Sequence, residues 1–291
     1  MIRVLILVGL AVLVFGSGAY WTYELFLRPT QDLKMEKELG AAAVPPDPSL
    51  PAFEQCVALK KQLKLQEARQ AFSRFLEQYP VSTRQEEARE QLGELNISIF
   101  LSPVPSAEKD EYVVKPGDVL TKVAGRLKTT PEYLVRANRL TGTMLRIGQR
   151  LVVGRGSFSL VVDRVQGRVT LLRDGRFFKQ YTIQSGAVGA AGSSGHGRKA
   201  PVQVRKQGRV GEKSAWTPDG RRVTLADKEY HGAAHWIAVE GGGVTLYAPV
   251  ESEPGKPALK PAGGLVLGFR DTEELAALLR KGDPVTIITL N

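Results

Sequence analysis

Cysteine and histidine are the side chains best suited to nucleophilic or metal chemistry, and this chain of 291 residues has one cysteine and three histidines. A thiol nucleophile needs a base beside it, but Cys56 and the histidines belong to different parts of the chain. His231 and His235 are four residues apart, a spacing at which two histidines on one helix can bind the same metal ion. Gly232 and the strand-like residues after His235 argue against a helix, and no third ligand is near. The sequence therefore predicts neither a metal site nor a disulfide.

Serine is the remaining candidate nucleophile, in a glycine-rich loop from Gly186 to Gly197 that contains Ser193 and Ser194 and follows Ser185. Such a loop cradles phosphate when it carries the lysine and serine of a P-loop and opens a helix. This loop has neither that residue order nor a clear helix after it. We therefore expect no cofactor and no catalytic residue.

The clearest local pattern in the chain is a strand, two helices and a second strand. Alternating runs at 112–114 and 151–153 give the strands, and apolar residues three and four apart give the helices. Asp118 is expected to cap the first helix. Thr130 is expected to cap the second helix, with Pro131 at its first position.

This pattern resembles the LysM module, a βααβ unit that binds the N-acetylglucosamine-containing glycan of peptidoglycan or chitin. The resemblance covers residues 111–154 and rests on the motifs Gly117-Asp118-x-Leu120, Asn138-x-Leu140 and Leu145-x-x-Gly148-Gln149-x-Leu151. It implies a shallow groove between two loops, where backbone amides bind the acetamido group and apolar side chains contact the sugar. The glycan-binding residues that it implies are Gly117, Asp118, Val119, Leu120, Thr121, Thr143, Met144, Leu145, Arg146 and Ile147. The alternative for Leu120, Leu145 and Ile147 is that they only fill the core.

Charge and the first residues indicate the compartment. The net charge of +10 fits nucleic acid, an anionic envelope polymer or a membrane surface; with the glycan-binding resemblance, we expect peptidoglycan and no nucleic acid. The uncharged run from Val4 to Tyr23 is long enough to cross a bilayer, which predicts a transmembrane signal anchor over residues 1–24. The alternative is a cleaved signal peptide with Ser17-Gly18-Ala19 at the cleavage site. The anchor places the rest of the chain on the periplasmic side of the inner membrane, and cleavage would make the chain secreted.

Two segments lead to the βααβ unit. Residues 25–51 are rich in alanine and proline, which favours an extended linker. Residues 52–100 carry a helical period with a break at Tyr79-Pro80 and Ser82 or Thr83 as a cap, and resemble a tetratricopeptide-type helical hairpin of about one and a half repeats. The resemblance implies a protein partner for this segment, and the alternative is a helical spacer that packs on a neighbouring domain or self-associates.

Residues 157–291 alternate in short runs with turn signals, so we expect a mainly-β domain. One helix is predicted from Asp271 to Arg280, capped by Asp271 or Thr272 and followed by Gly282. Asp283-Pro284 then starts an edge or terminal strand. The expected strands are Ser159–Val165, Gly167–Leu172, Phe177–Ile183, Ala200–Lys206, Trp236–Val239, Val244–Tyr247 and Val285–Leu290.

This order resembles the L,D-transpeptidase (YkuD-like) domain, whose members cross-link peptidoglycan stems with a cysteine thiolate activated by a histidine. Residues carrying the resemblance include Val161-Val162-Asp163, Tyr181 to Gly186 and Glu273-Glu274-Leu275. Aligned from the last of these, the family's thiol falls at Gly264, its base at Ala262 and its arginine at Val266, while its earlier histidine falls at Tyr247. Every catalytic group is missing, which implies a pseudoenzyme.

Together these patterns predict a multidomain α+β protein: a membrane helix, a helical hairpin, a βααβ LysM module and a mainly-β L,D-transpeptidase-like domain. We expect a membrane-anchored bacterial envelope protein that binds peptidoglycan and is not an enzyme. The alternative is an active L,D-transpeptidase, or another cell-wall enzyme, with displaced catalytic residues.

Overall fold

The computed structural model describes residues 47–186, 203–250 and 259–290. The predicted anchor at 1–24, most of the linker at 25–51 and most of the glycine-rich loop lie outside these residues. Among the described residues, no helix is both long and apolar enough to cross a membrane. Residues 51–291 form one compact unit. The architecture mixes helices and sheet, as expected.

Three helices open the described part of the chain: α1 (Leu50–Lys61), α2 (Leu65–Gln78) and α3 (Gln85–Phe100). Helix α2 is strongly amphipathic and buries Ala68, Phe72 and Phe75, which follow the three-and-four spacing of one helix face. The predicted break at Tyr79-Pro80 is confirmed, but α3 starts after Arg84 rather than at a Ser82 or Thr83 cap. The apolar period did not predict the break between α1 and α2, where Leu63 adopts a positive φ of 58°.

The βααβ module (residues 109–154) comprises β1 (Lys109–Val113), α4 (Leu120–Arg126), α5 (Pro131–Ala137) and β2 (Arg150–Gly154), with β1 and β2 antiparallel. The Thr130 cap is confirmed, because its Oγ1 accepts the Tyr133 N–H at 2.9 Å and Pro131 begins the helix. The Asp118 cap is wrong: Val119 is the N-cap of α4 and makes no side-chain cap bond.

A mixed nine-stranded sheet fills the C-terminal region (residues 157–290). Its elements are β3 (Phe158–Asp163), β4 (Arg168–Arg173), β5 (Arg176–Thr182), β6 (Gln203–Trp216), β7 (Arg222–Val223), β8 (Ala234–Glu240), β9 (Val244–Tyr247), β10 (Gly264–Val266), α6 (Phe269–Leu278) and β11 (Pro284–Leu290). The strand order is β10-β9-β8-β6-β11-β3-β4-β5, with β7 paired to β6. Among these strand pairs, β10–β9 and β11–β3 are parallel and the others are antiparallel.

Four features of this region differ from the sequence-based expectations. Strand β6 runs to Trp216 through a bulge between Val210 and Lys213, whereas only its start was predicted. Strands β7 and β10 were not predicted. Strand β11 is central rather than at an edge, and Pro284 is tolerated as its first residue. Helix α6 begins at Phe269, after Gly268 rather than after Asp271 or Thr272.

A cluster of aromatic rings joins the helices, the βααβ module and the sheet. The ring of Phe100 at the end of α3 lies 5.0 Å from Tyr133, 5.5 Å from Phe158 and 5.7 Å from Phe178, measured between centroids. The Arg173 guanidinium lies 4.9 Å from the Phe100 centroid on top of this cluster. The four aromatic residues belong to a single hydrophobic core that also includes Leu120 and Leu151 of the module, so the module shares its core with its neighbours.

Helix α3 also covers β5, the last strand of the sheet. The Asn96 side chain donates to the Phe178 carbonyl at 2.7 Å, in the buried contact between the two elements. Gly93 allows close packing, since a Cβ there would lie 2.9 Å from Cγ of Lys179. The helical segment therefore packs on the neighbouring sheet.

Candidate functional site

The first loop of the expected glycan groove is held by a hydrogen-bond network around Asp118. Its carboxylate accepts the Tyr112 hydroxyl at 2.6 Å and the Lys115 N–H at 2.9 Å. Arg126 of α4 donates to the Tyr112 hydroxyl at 2.7 Å. The Tyr112 bond, followed by the Lys115 bond, holds the pKa of Asp118 below its usual range. Asp118 therefore fixes the loop between β1 and α4 instead of capping the helix.

The second loop presents large apolar side chains to solvent. Met144 is 91% exposed and Ile147 is 71% exposed. The backbone of this loop is fixed at Arg146, whose N–H donates to Oε1 of Gln149 at 3.1 Å. Exposed apolar side chains on a fixed loop suit contact with the apolar face of a sugar.

The expected groove residues fall into two groups. Leu120 is 1% exposed and belongs to the core, so only its backbone is available to a ligand. Leu145 is half-buried and packs against the same core. The other residues reach solvent, although the Asp118 side chain is only 6% exposed; Val119, beside Leu120, is 52% exposed. The exposed or partly exposed positions are Gly117, Asp118, Val119, Thr121, Thr143, Met144, Arg146 and Ile147.

Helix α5 of the module is docked on α6. The Thr130 hydroxyl that accepts the Tyr133 N–H also donates to the Ala277 carbonyl. Glu132 lies 3.5 Å from the Lys213 ammonium and accepts the Tyr230 hydroxyl at 3.1 Å. These contacts fix the orientation of the module against the C-terminal region.

The two histidines considered for metal binding lie beside this docking contact. His231 is exposed, with Nδ1 at 3.7 Å from the Glu273 carboxylate. His235 is 1% exposed at the start of β8, and burial, together with the Lys213 charge, lowers its pKa to about 4. Its Nε2 has no hydrogen-bond partner among the described residues. A short 3₁₀ turn, Lys228–Gly232, and not an α-helix, contains His231.

The position aligned with a transpeptidase thiol is occupied by glycine and closed by an aromatic ring. A Cβ at Gly264 would lie 2.5 Å from Cε1 of Tyr247, well inside van der Waals contact. Tyr247 is 5% exposed, and its ring lies 5.8 Å from the Trp236 ring. Cys56 is buried in the separate core of the helices. The described residues thus bring no thiol to Gly264.

Comparison with known protein families confirms one resemblance. Residues 112–154 match the LysM domain. The LysM module is therefore the same segment as the βααβ module, and LysM domains are peptidoglycan-binding modules. Comparison with curated proteins finds no match.

Among solved structures, the chain is similar to a crystal structure of an L,D-transpeptidase (Yku) from Stackebrandtia nassauensis, with 18% sequence identity and a TM-score of 0.26. The match covers 46% of this chain and 55% of that one, so the chain spans about half the length of that protein.

Sequence reasoning missed two features of these sites. The Tyr112–Asp118–Arg126 network joins residues up to 14 positions apart, and the only sequence signal for it was that Gly117-Asp118 lies close to the end of the strand. The closure of Gly264 by Tyr247 depends on the parallel pairing of β10 with β9, in which Val266 lies opposite Tyr247. Since β10 has three residues, its pattern alone does not identify it.

Proposed function

We propose that this protein binds the N-acetylglucosamine-containing glycan of peptidoglycan through the groove of its LysM module. The match of residues 112–154 to the LysM domain carries the proposal. The exposed side chains of Met144 and Ile147 support it, because such residues gain contact area when a sugar covers them.

Sedimentation with purified sacculi tests this binding. Residues 47–291 are used, since the LysM module shares its core with the rest of the compact unit. Ile147→Asp should weaken binding by at least about tenfold, equivalent to about 1.4 kcal/mol. Val81→Asp is the matched control, because Val81 is 94% exposed and lies outside the module. Sedimentation by the Ile147→Asp protein equal to that of the control would contradict the proposal.

We further propose that the C-terminal region is a pseudoenzyme that serves as a second wall-binding or partner-binding surface. Its support is the glycine at the aligned thiol position and the Tyr247 ring against it. Incubation of residues 47–291 with muropeptides should give no cross-linked or cleaved product. Turnover that survives Cys56→Ala would favour the alternative, an enzyme with displaced catalytic groups.

The anchor over residues 1–24 is proposed on the sequence alone, and it would place the LysM module on the outer side of the inner membrane. N-terminal sequencing of the mature protein tests it. A chain that begins at Tyr20 would mean a cleaved signal and a secreted protein.

We also propose that residues 52–100 bind a protein partner, which is what their tetratricopeptide-like pattern implies. One face of α3 is already used against β5, so a partner would contact α1 and α2. Crosslinking in cells tests partner binding by comparing the unsubstituted chain with the Leu63→Asp variant. Leu63 lies on the turn between α1 and α2 and is 81% exposed.

A further inference from the structure

An open cleft of about 430 Å³ lies between the LysM module and the C-terminal region. Strands β1 and β2 and the loop after α4 form one wall, and the other wall is formed by Ser157, Asp174 and Arg280. Small-molecule sites have volumes of roughly 300–1,000 Å³. The residues that line the cleft include none of those expected in the glycan groove. The cleft is therefore a candidate site of its own.

The floor of the cleft is apolar and its rim is open to solvent. Val153 is buried, and Tyr112 and Leu127 pack against the same core. At the rim, Lys128 and Asp174 are exposed. A small ligand can thus enter from solvent and cover apolar surface on the floor.

Most charged side chains around the cleft already have an ion-pair partner. The pairs are Asp110 with Arg155 at 3.6 Å, Glu111 with Arg150 at 2.7 Å and Arg280 with Asp283 at 3.0 Å. Two charged side chains of the lining remain, Lys128 and Asp174, and their charges are opposite.

Lys128 supplies the positive charge on the side of the LysM module. Its backbone N–H donates to the Gly125 carbonyl at 3.2 Å, which holds the chain at the end of α4. Its ammonium group is exposed and has no ion pair within the part of the chain that the structure describes. The group is therefore free to bind an anion.

Asp174 supplies the negative charge from the turn between β4 and β5. Its Oδ1 accepts the N–H of Ser157 at 2.8 Å and the Ser157 hydroxyl at 3.1 Å. Its Oδ2 lies 4.0 Å from Nε of Arg173, which is too long for a hydrogen bond. Gly156 gives this oxygen room, since a Cβ there would lie 2.7 Å from it. Oδ2 can therefore accept from a further donor while Oδ1 holds the carboxylate in place.

We propose that this cleft binds a small zwitterion, namely a free amino acid or a short peptide. The carboxylate of the ligand bonds to Lys128, its ammonium group bonds to Oδ2 of Asp174, and its side chain covers the apolar floor. A neutral sugar would use neither charge, and a simple anion or cation would use only one. This binding is separate from glycan binding and does not depend on it.

Amide NMR of isotope-labelled residues 47–291 tests the cleft directly. The probes are alanine, dialanine and trialanine, which carry the same two charges at increasing separation. At least one probe should shift the amide signals of Lys128, Gly156 and Ser157 saturably at millimolar concentration, and the tightest binder distinguishes an amino acid from a peptide. If no probe gives a saturable shift at these amides up to about 10 mM, the proposal is wrong.

Paired changes in ligand and protein assign the two charges. N-acetylation of the best probe should weaken binding about two- to fivefold, the contribution of an exposed ion pair, and Asp174→Asn should do the same. The acetylated probe should bind the Asp174→Asn protein and the unsubstituted protein equally well. Amidation of the probe's carboxylate and Lys128→Gln form the equivalent pair for the other charge.

Lys122→Gln is the matched control, because Lys122 is exposed on α4 and does not line the cleft. This variant should leave the titration unchanged. Ile147→Asp should also leave it unchanged, which separates the cleft from the LysM groove. A blocked probe that binds as tightly as the zwitterion, or a Lys128→Gln protein that binds like the control, would refute the proposal.

Discussion

The Lys179 ammonium lies 2.8 Å from the carboxylate of Glu274, which is fully buried. This ion pair joins β5 to α6, and Glu94 of α3 reaches the same ammonium at 2.6 Å. Three elements from distant parts of the chain therefore meet at one cation.

Lys179→Met should lower the free energy of unfolding of residues 47–291 by about 3 kcal/mol, because Glu274 stays buried without its main cation. Arg270, whose Nε lies 3.1 Å from Glu274, limits the loss. Urea unfolding measures it. The double variant Lys179→Met, Glu274→Met should recover most of the stability, since no buried charge remains. Glu87→Gln, in an exposed pair with Arg84, should cost less than about 1 kcal/mol.

Phe100→Ala should destabilise the chain by about 3–5 kcal/mol, because the cavity would open between three segments that pack around one ring. The LysM module and the sheet should still unfold at the same urea concentration, because they share a core. The methyl resonance of Met144 reports on the LysM module, and the fluorescence of Trp216 and Trp236 reports on the sheet. Phe269→Ala is the control, as Phe269 is 42% exposed. Two separate midpoints in the unsubstituted chain would contradict the shared core.

Stability should fall as the pH drops from about 4.5 to about 2 because of Glu108. Hydrogen bonds from Arg69 at 2.6 Å and Arg173 at 2.7 Å lower its pKa to about 2. A carboxyl with a depressed pKa stabilises the fold above its unfolded pKa and loses this contribution as it is protonated. Thermal unfolding at a series of pH values measures the loss. Glu108→Gln should flatten this part of the profile, whereas Glu111→Gln, at an exposed pair with Arg150, should leave it unchanged.

His235 should remain neutral down to about pH 4 in the folded chain, because burial disfavours its charged form. The unfolded chain binds this proton at a higher pH, so stability present above about pH 6.5 is lost as the pH falls towards 4. Imidazole NMR shifts follow the titration, with His196→Gln and His231→Gln variants to assign the remaining signal to His235. A midpoint for His235 near 6.5 in the folded protein would show that the ring is hydrated.

Gly264→Ala should destabilise the chain by roughly 1–3 kcal/mol, the usual cost of overpacking, because the added methyl meets the Tyr247 ring. Gly142→Ala is a matched control, since a Cβ at Gly142 meets nothing within 4 Å. Combining Gly264→Ala with Tyr247→Ala should remove the clash, so the two effects should not add. Additive losses in thermal unfolding would place the ring away from Gly264.

Local chemistry allowed the sequence to predict the LysM module well. The Thr130 cap and Pro131 act within one helical turn, so their roles follow from adjacent residues alone. Asp118 was assigned to the wrong role because Tyr112 and Arg126, six residues before it and eight after, compete for its carboxylate. Which groove residues bind glycan stays a prediction.

Long-range packing explains what the sequence did not predict. Gly264 to Val266 form a strand only because β9 lies beside them. The charged stretch of β6 before Trp216 lacks the apolar alternation of a strand, yet β8 and β11 pair with it on both sides. The sequence around Phe100 does not indicate that its ring joins three segments, because its partners lie 33, 58 and 78 residues later.

The hydrogen bond that the Asn96 side chain donates to the Phe178 carbonyl has a consequence for solubility. Strand edges that lack a cover pair with strands of other molecules. A chain that began after α3 would leave β5 open along its length, with the half-buried Phe177 beside it. We expect such a fragment to aggregate through this edge, which the helical segment covers in the longer chain.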